Sequence, residues 1–336
     1  MKKVLDLKNS EYRELISETA RIMRVQPAII EKDIWVCSVL QMLFSDPLLK
    51  YHLVFKGGTS LSKVYKLIHR FSEDIDLILD WRLFGYGERE RDPYSPRRSK
   101  TRQDRFNKEI NHAAAEYLRT TFVPHLKQLL SDRDDIDVRI SDSDPNAVEI
   151  MYPSIYSADY IPSRVLLEIG PLAAWVPSKW QRITPYVAEV FPQATGRIDI
   201  NVLSTTAERT FWEKATILHQ EAHRIKAPLP RYSRHYYDLY MMARAPVKKS
   251  ALADPELLRQ VVEFKQRFYP SAWARYDLAA AGTFRLIPEA NQLKEIERDY
   301  REMSIMIFDE APEWDTIMHG LGALEEEING KTHIKE

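Results

Sequence analysis

Apolar positions recur at two periods along this chain, and the changes of period mark its elements. Behind Pro27, a residue suited to a first helical turn, Ile29, Ile30, Ile34, Val36, Leu40 and Leu43 fall at helical spacing, and Asp46-Pro47 closes the run. An earlier helix opens at Asn9 or Ser10, either of which can cap it, with Glu11 and Glu14 favourable in its first turns. The pattern then shortens. Residues 52–55 form an apolar strand, Gly57-Gly58 a turn, and Leu61, Val64, Tyr65 and Ile68 a helix, before a second strand over residues 75–79. Residues 81–105 read as a long loop followed by a helix to about residue 130. Strand-like segments follow at 136–140, 147–152, 165–169 and 198–203. From Thr205 onward the period is helical, beginning with Trp212, Ala215, Ile217 and Leu218. A proline- and arginine-rich stretch, 225–234, leads into a helix over 236–243 and then amphipathic helices to about 329. The expectation is an α+β protein: a mixed sheet flanked by helices within residues 1–204, and a helical domain over 205–336.

Composition narrows the class. A chain of 336 residues with 44% apolar and 29% charged residues is long enough to bury a full core. Its single cysteine, Cys37, excludes a disulfide framework within the chain and lies in an apolar run, where a core role outweighs a nucleophilic one. Met1-Lys2-Lys3 is not followed by an apolar stretch of signal-peptide type, and no apolar run is long enough to span a membrane, so the cytoplasm is the expected location. A net charge of −1 argues against bulk electrostatic binding of nucleic acid. Locally the balance differs, because residues 82–105 hold eight Arg or Lys against four acids.

Two features carry candidate chemistry. Asp74 and Asp76 stand two apart on a strand, so their carboxylates share one face and repel; a divalent cation with a taste for hard oxygen ligands, such as magnesium, would relieve that repulsion. Asp-x-Asp is otherwise most often a solvated face, but Ile75 and Leu77-Ile78-Leu79 make the opposite face a core face. Upstream, Gly57, Gly58, Thr59 and Ser60 join a strand to a helix, where backbone N–H groups and hydroxyls can receive a phosphate. The plainer reading of that turn is a tight connection capped by Thr59. His219 and His223, one helical turn apart, have zinc spacing but lack the order of a metalloprotease motif, and a polar helix face accounts for them equally simply.

The stretch Phe55-Lys56-Gly57-Gly58-Thr59-Ser60-Leu61, with Arg70-Phe71-Ser72-Glu73-Asp74-Ile75-Asp76-Leu77 behind it, resembles the AbiEii/AbiGii toxin family, which includes the MenT toxins and belongs to the DNA polymerase β-like nucleotidyltransferases. The resemblance runs from about residue 10 to 330. It implies that Glu168, in Val165-Leu166-Leu167-Glu168-Ile169, completes the metal set or acts as base, and that Ser72 lies close to the triphosphate. It further implies that Lys214, in Thr210-Phe211-Trp212-Glu213-Lys214-Ala215, contacts nucleotide phosphates, with Glu213 structural. Asp238, in Arg234-His235-Tyr236-Tyr237-Asp238-Leu239-Tyr240, would hold Lys214 or a substrate group, and Arg70 would help neutralise phosphate unless it is solvated.

On this resemblance the expected cofactor is Mg2+ (or Mn2+) and the substrate an NTP, with transfer of a nucleoside monophosphate to RNA, foremost the 3′ end of tRNA. The same resemblance implies a toxin of a type IV toxin–antitoxin or abortive phage-infection system with a cognate antitoxin. The basic stretches around Arg82–Arg105 and Arg224–Arg234, with Tyr86, Tyr94, Tyr232 and Tyr236, are the expected RNA contacts. Three alternatives stand beside it: a nucleotidyltransferase acting on a protein or small molecule, a kinase-like use of the γ-phosphate, and a nucleotide-binding module without catalysis.

Overall fold

The apolar stretches pair as a mixed sheet in the computed structural model, which describes residues 1–336 except 89–90, 96–97, 157, 159–160, 309 and 331–336, and the side chain of Lys2. Arg89, Glu90 and Arg97 of the basic stretch therefore lie outside the described residues. Among the described residues the strands are β1 (Leu53–Lys56), β2 (Ile75–Leu79), β3 (Asp137–Ile140), β4 (Ala147–Met151), β5 (Arg164–Gly170), β6 (Ser178–Ile183) and β7 (Ile200–Thr205). Their spatial order is β3-β4-β5-β2-β1-β7-β6. β2 lies antiparallel to β1 and parallel to β5, and β1 runs parallel to β7. With helices around it, this is the α+β architecture expected. Edge strand β6 has no counterpart in the sequence expectation. Its residues Ser178-Lys179-Trp180-Gln181-Arg182-Ile183 bury only Ile183, so no apolar alternation announces it.

The chain divides into two units. The first comprises Met1–Val64 and Phe71–Thr205, and the second Tyr65–Arg70 and Thr206–Glu336. In the first unit, Leu53, Phe55, Ile75, Leu77, Leu79, Leu167, Ile169 and Val202 present one sheet face to Ile30, Ile34 and Leu40 of the helix Pro27–Ser45. In the second unit, helix Ala207–Ala222 carries Trp212, whose indole N–H donates to the Ala251 carbonyl at 3.1 Å, and helices Ser233–Ala243 and Trp314–Ile328 meet through Tyr236 and Trp314. The helix expected to run through Ile68 stops at Lys63. Lys66 takes a left-handed conformation (φ 52°), and the segment beyond it joins the second unit, where Arg70 bridges to Ile307 and the Phe308 N–H donates to the His69 carbonyl at 2.8 Å. No helix among the described residues is long and apolar enough to cross a membrane.

The helix Pro27–Ser45 contains a feature that apolar periodicity conceals. Glu31, Lys32 and Asp33 follow one another inside it and are only 1%, 1% and 4% exposed. A helix buried around its circumference has no solvated face for charge, so each of these must find a partner. Glu31 accepts from Ser154 Oγ (2.6 Å) and from the N–H groups of Ile155 (2.9 Å) and Tyr156 (3.1 Å). Lys32 donates to the carbonyls of Pro162 (3.0 Å) and Arg164 and to Glu73 (3.4 Å). Asp33 pairs with Lys63 at 2.7 Å and accepts from the Tyr186 N–H at 2.7 Å, and the Lys63 ammonium lies 3.7 Å from the centre of the Tyr186 ring. Burial alone would weaken the hold of Lys63 on its proton; Asp33 more than restores it. Cys37 sits one turn further on, fully buried, and burial pushes its thiol pKa well up, so it is a core residue as expected.

Breaking one of these pairs leaves a charge buried alone. Asp33→Ala is expected to cost about 3–5 kcal/mol in urea denaturation, because Lys63 loses its counter-ion. The neutral pair Asp33→Asn with Lys63→Met, which keeps an acceptor for the Tyr186 N–H, should recover most of that loss.

Candidate active site

β2 places its carboxylate by alternation. Ile75, Leu77 and Leu79 point into the core, so Asp76 projects from the opposite face, where it is half-buried. In register it lies opposite Lys56 of β1 and Glu168 of β5. Glu168 projects between the buried Val165, Leu167 and Ile169 and is exposed. Register partners share a face about 4.8 Å apart, so two carboxylates stand side by side near the middle of the sheet. Asp74 precedes the strand by one residue and is half-buried. Among the described residues, no three His, Cys, Asp or Glu side chains gather closely enough to hold a metal ion. The donor chemistry nevertheless suits a hard cation: all three are carboxylates, and none is fully buried.

The glycine turn abuts this face. Gly57 has φ +78°, and a Cβ built on it would fall 1.9 Å from Asp76 Oδ2 and 2.5 Å from its Cγ. The Asp76 carboxylate thus rests against the bare Cα of Gly57, and no other residue could stand there without displacing it. Gly58, Thr59 and Ser60 are buried in the first turn of the short helix Gly57–Lys63. The Thr59 hydroxyl donates to the Asp74 carbonyl at 2.5 Å and that of Ser60 to the Gly57 carbonyl at 2.9 Å. Both hydroxyls close the turn and tie it to the Asp74 segment, whereas the sequence suggested them as phosphate donors. Thr59 is not the cap either, since Lys56 occupies that position. What the turn can still offer an anion is the backbone N–H groups of its first residues. Ser72 is half-buried and lines a narrow crevice with Thr59, Ser62 and Lys63.

The second unit holds its own polar cluster. Asp238, fully buried, accepts two bonds from Arg70, Nε to Oδ1 at 2.7 Å and Nη2 to Oδ2 at 2.8 Å, and a third from Lys214 Nζ to Oδ2 at 2.8 Å. Lys214 Nζ also lies 3.0 Å from His235 Nδ1. Burial by itself would raise the Asp238 pKa, but Arg70 and Lys214 pull its carboxyl well below the ordinary range. Burial lowers the Lys214 pKa, Asp238 opposing and Arg70 adding to the effect; burial, then Lys214 and Arg234, push the His235 imidazole well down. Arg70 is therefore not a solvated side chain: its guanidinium is committed to Asp238. His235 escaped the sequence reading because a histidine beside tyrosines on a helix has no distinguishing pattern. Glu213 accepts from Arg209 at 3.0 Å, one helical turn back.

Several expected contacts change character. His219 has both ring nitrogens engaged, Nε2 with the Arg275 carbonyl (3.0 Å) and Nδ1 accepting from the Arg285 N–H (3.0 Å), and it is fully buried. It is a core histidine, not a zinc ligand or part of a polar surface. Tyr236 is 1% exposed and packs on Trp314, and Tyr86 is buried between Phe84 and Phe106, so neither can stack on a base. Tyr94 is 44% exposed and Tyr232 half-exposed. Arg98 lies 3.6 Å over Phe106, and Arg82 binds Asp80 at 2.6 Å, whereas Lys100, Arg102 and Arg105 remain exposed.

A family described as "Nucleotidyl transferase AbiEii toxin, Type IV TA system" matches residues 38–319 of the chain. No curated protein sequence matches it. Among solved structures, the chain is similar to MenT4, a nucleotidyltransferase toxin from Mycobacterium tuberculosis, at 16% identity and TM-score 0.45, covering 94% of this chain and 97% of that one. It is also similar to JHP933 from Helicobacter pylori, at 15% identity and TM-score 0.33, covering 90% and 97% of the two chains.

Gly57→Ala is expected to lower stability by about 1–2 kcal/mol from backbone conformation alone. Gly170→Ala, where a Cβ meets nothing within 4 Å, should be close to neutral in the same urea titration. Buried His219 and half-buried His223 predict an acid-labile second unit. Burial and then His219 lower the His223 pKa from 6.5 to about 4, and burial lowers that of His219. The unfolded chain therefore binds more protons than the folded one between about pH 6.5 and pH 4, so this contribution is complete above that window and lost as pH falls through it. Thermal melts should show Tm declining across the window, with a shallower decline in His223→Gln.

Proposed function

Because the chain belongs to the AbiEii family of type IV toxin–antitoxin nucleotidyl transferases, we propose that Asp74, Asp76 and Glu168 form the metal-binding carboxylate set of a transferase that modifies RNA, with the tRNA 3′ end as acceptor. The protein is a nucleotidyltransferase toxin; the acceptor, the metal and the roles of individual residues are the proposed part. The observation that carries the reading is the register of Asp76 with Glu168, beside a turn whose glycine makes room for the Asp76 carboxylate.

In this reading Asp74, Asp76 and Glu168 would hold Mg2+ or Mn2+, which when bound supplies charge stabilisation to the entering and leaving oxygens. The N–H groups at Gly57, Gly58, Thr59 and Ser60 bind a phosphate of the NTP, while the two buried hydroxyls keep the turn rigid. Ser72 flanks the same turn. Glu168, the exposed carboxylate, would complete that carboxylate set or instead take the proton of the incoming hydroxyl. The acceptor oxygen forms a bond to the α-phosphorus, the bond from that phosphorus to the bridging oxygen breaks, and pyrophosphate leaves. Lys214, held by Asp238, is the proposed triphosphate ligand of the second unit. The exposed Lys100, Arg102 and Arg105, with Tyr94, are the proposed RNA contacts in the first unit; in the second, Arg224, Tyr232 and Arg234 fill that role. Cellular action in the cytoplasm, growth arrest, phage defence and control by an antitoxin complete the proposal.

The purified protein, incubated with each α-labelled NTP, Mg2+ and total tRNA, should label the RNA and release pyrophosphate. Asp76→Ala should reduce this about a thousandfold and abolish growth arrest on expression. Label appearing on protein alone would remove the RNA acceptor, and release of nucleoside diphosphate would show γ-phosphate transfer. Undiminished toxicity of Asp76→Ala would remove catalysis as the cause.

A further inference from the structure

We propose that His235 is a positioning residue that aims the Lys214 ammonium at the triphosphate; this rests on the reading of Lys214 as a phosphate ligand. An ammonium has three N–H donors and no acceptor. One points to Asp238 Oδ2 at 2.8 Å, and a second to His235 Nδ1 at 3.0 Å. Two fixed bonds set the direction of the third. Because Lys214 can only donate, Nδ1 must present its lone pair, and the ring proton sits on Nε2.

Asp238 alone could not orient the ammonium in this way. Its Oδ2 is shared between Lys214 and Arg70, and its Oδ1 is taken by Arg70. Arg70 and Lys214 both bond the Asp238 carboxylate, and Arg234 adds positive charge at His235. A protonated His235 would lose its lone pair and add another cation beside them. The groups facing its ring are Lys214, from helix Ala207–Ala222; Arg70; Arg234 and Asp238, on its own helix; and Tyr232, 5.1 Å away and edge-on. Three of these five are cations and one an anion, and the ring is buried, so His235 stays neutral until the medium is acidic. Its protonation would then release Lys214 from its second anchor.

The test is equilibrium binding of the four ribonucleoside triphosphates, with Mg2+, to the full chain and to His235→Leu, His235→Gln and Lys214→Ala, from about pH 8 to about pH 4. At the upper pH, His235→Leu should weaken binding of the preferred triphosphate about tenfold, and His235→Gln, which keeps an acceptor, by no more than about threefold. The triphosphate's own terminal proton weakens all variants alike, so the pH readout is the ratio of wild-type to His235→Gln affinity, which should hold through pH 6.5, because the buried ring stays neutral there, and fall about tenfold only toward the lower limit. If Lys214→Ala weakens binding but His235→Leu does not, the positioning role is overturned while the phosphate role of Lys214 stands. If Lys214→Ala binds as tightly as wild type, the underlying reading fails and the positioning role with it. Should His235→Leu not fold, the ratio alone decides: a constant ratio across the pH range overturns the proposal.

Discussion

Three consecutive charges buried in one helix govern the first unit. Glu31, Lys32 and Asp33 cannot remain on the Pro27–Ser45 helix unless the surrounding chain comes to them, because an unpaired ion in the core costs several kcal/mol. Each recruits a different segment. Glu31 gathers residues 154–156, Lys32 takes hold of Glu73 and the first residue of β5, and Asp33 binds Lys63 and the backbone of Tyr186. A greasy helix in the same place could slide against the sheet with modest loss. Directional bonds to three separate segments leave it one position.

Those segments are the ones that carry the candidate chemistry. Glu73 adjoins Asp74 and leads into β2, Arg164 begins the strand that bears Glu168, and Lys63 ends the short helix that opens at Gly57. The carboxylates and the glycine turn are thus fixed to a common strut from behind the sheet. On the front, Asp76 can lie against Gly57 only because that residue has no side chain, and the Thr59 and Ser60 hydroxyls hold the turn shut around it. Such support from behind is how neighbouring groups of like charge keep their geometry.

The second unit solves a similar problem with a different device. Asp238 is buried completely and bonded by both Arg70 and Lys214, so a single carboxylate organises two cations, and His235 engages a second donor of Lys214. Arg70 reaches this cluster because the helix after the glycine turn ends early and the chain crosses at Lys66 into the second unit. Family membership makes the protein a nucleotidyltransferase toxin; in physical terms, such an enzyme needs its charged groups held before the substrate binds, and buried ion pairs hold the candidate groups in each unit.

Local pattern determined a good deal of this by itself. The strands at 75–79 and 147–151, the helix from Pro27 and the helical character after Thr205 follow from apolar period and from proline and glycine placement, which act over a few residues and need no partner. The family, and the place of Asp76 on the strand face away from the core, were legible for the same reason: they reside in short contiguous motifs, although Asp74, expected on the same strand, lies one residue before it. Tertiary structure alone decided which polar groups are buried and what they touch. Glu31-Lys32-Asp33 could pass for an exposed helix face, Arg70 for a solvated cation, Tyr236 for a base-stacking ring and His219 for a metal ligand, because a side chain's exposure is set by segments tens to hundreds of residues away. Polar edge strand β6 likewise exists only because β7 offers it hydrogen-bonding partners. A sequence records which groups are available; the free energy of burying them depends on what the fold brings within about 3 Å.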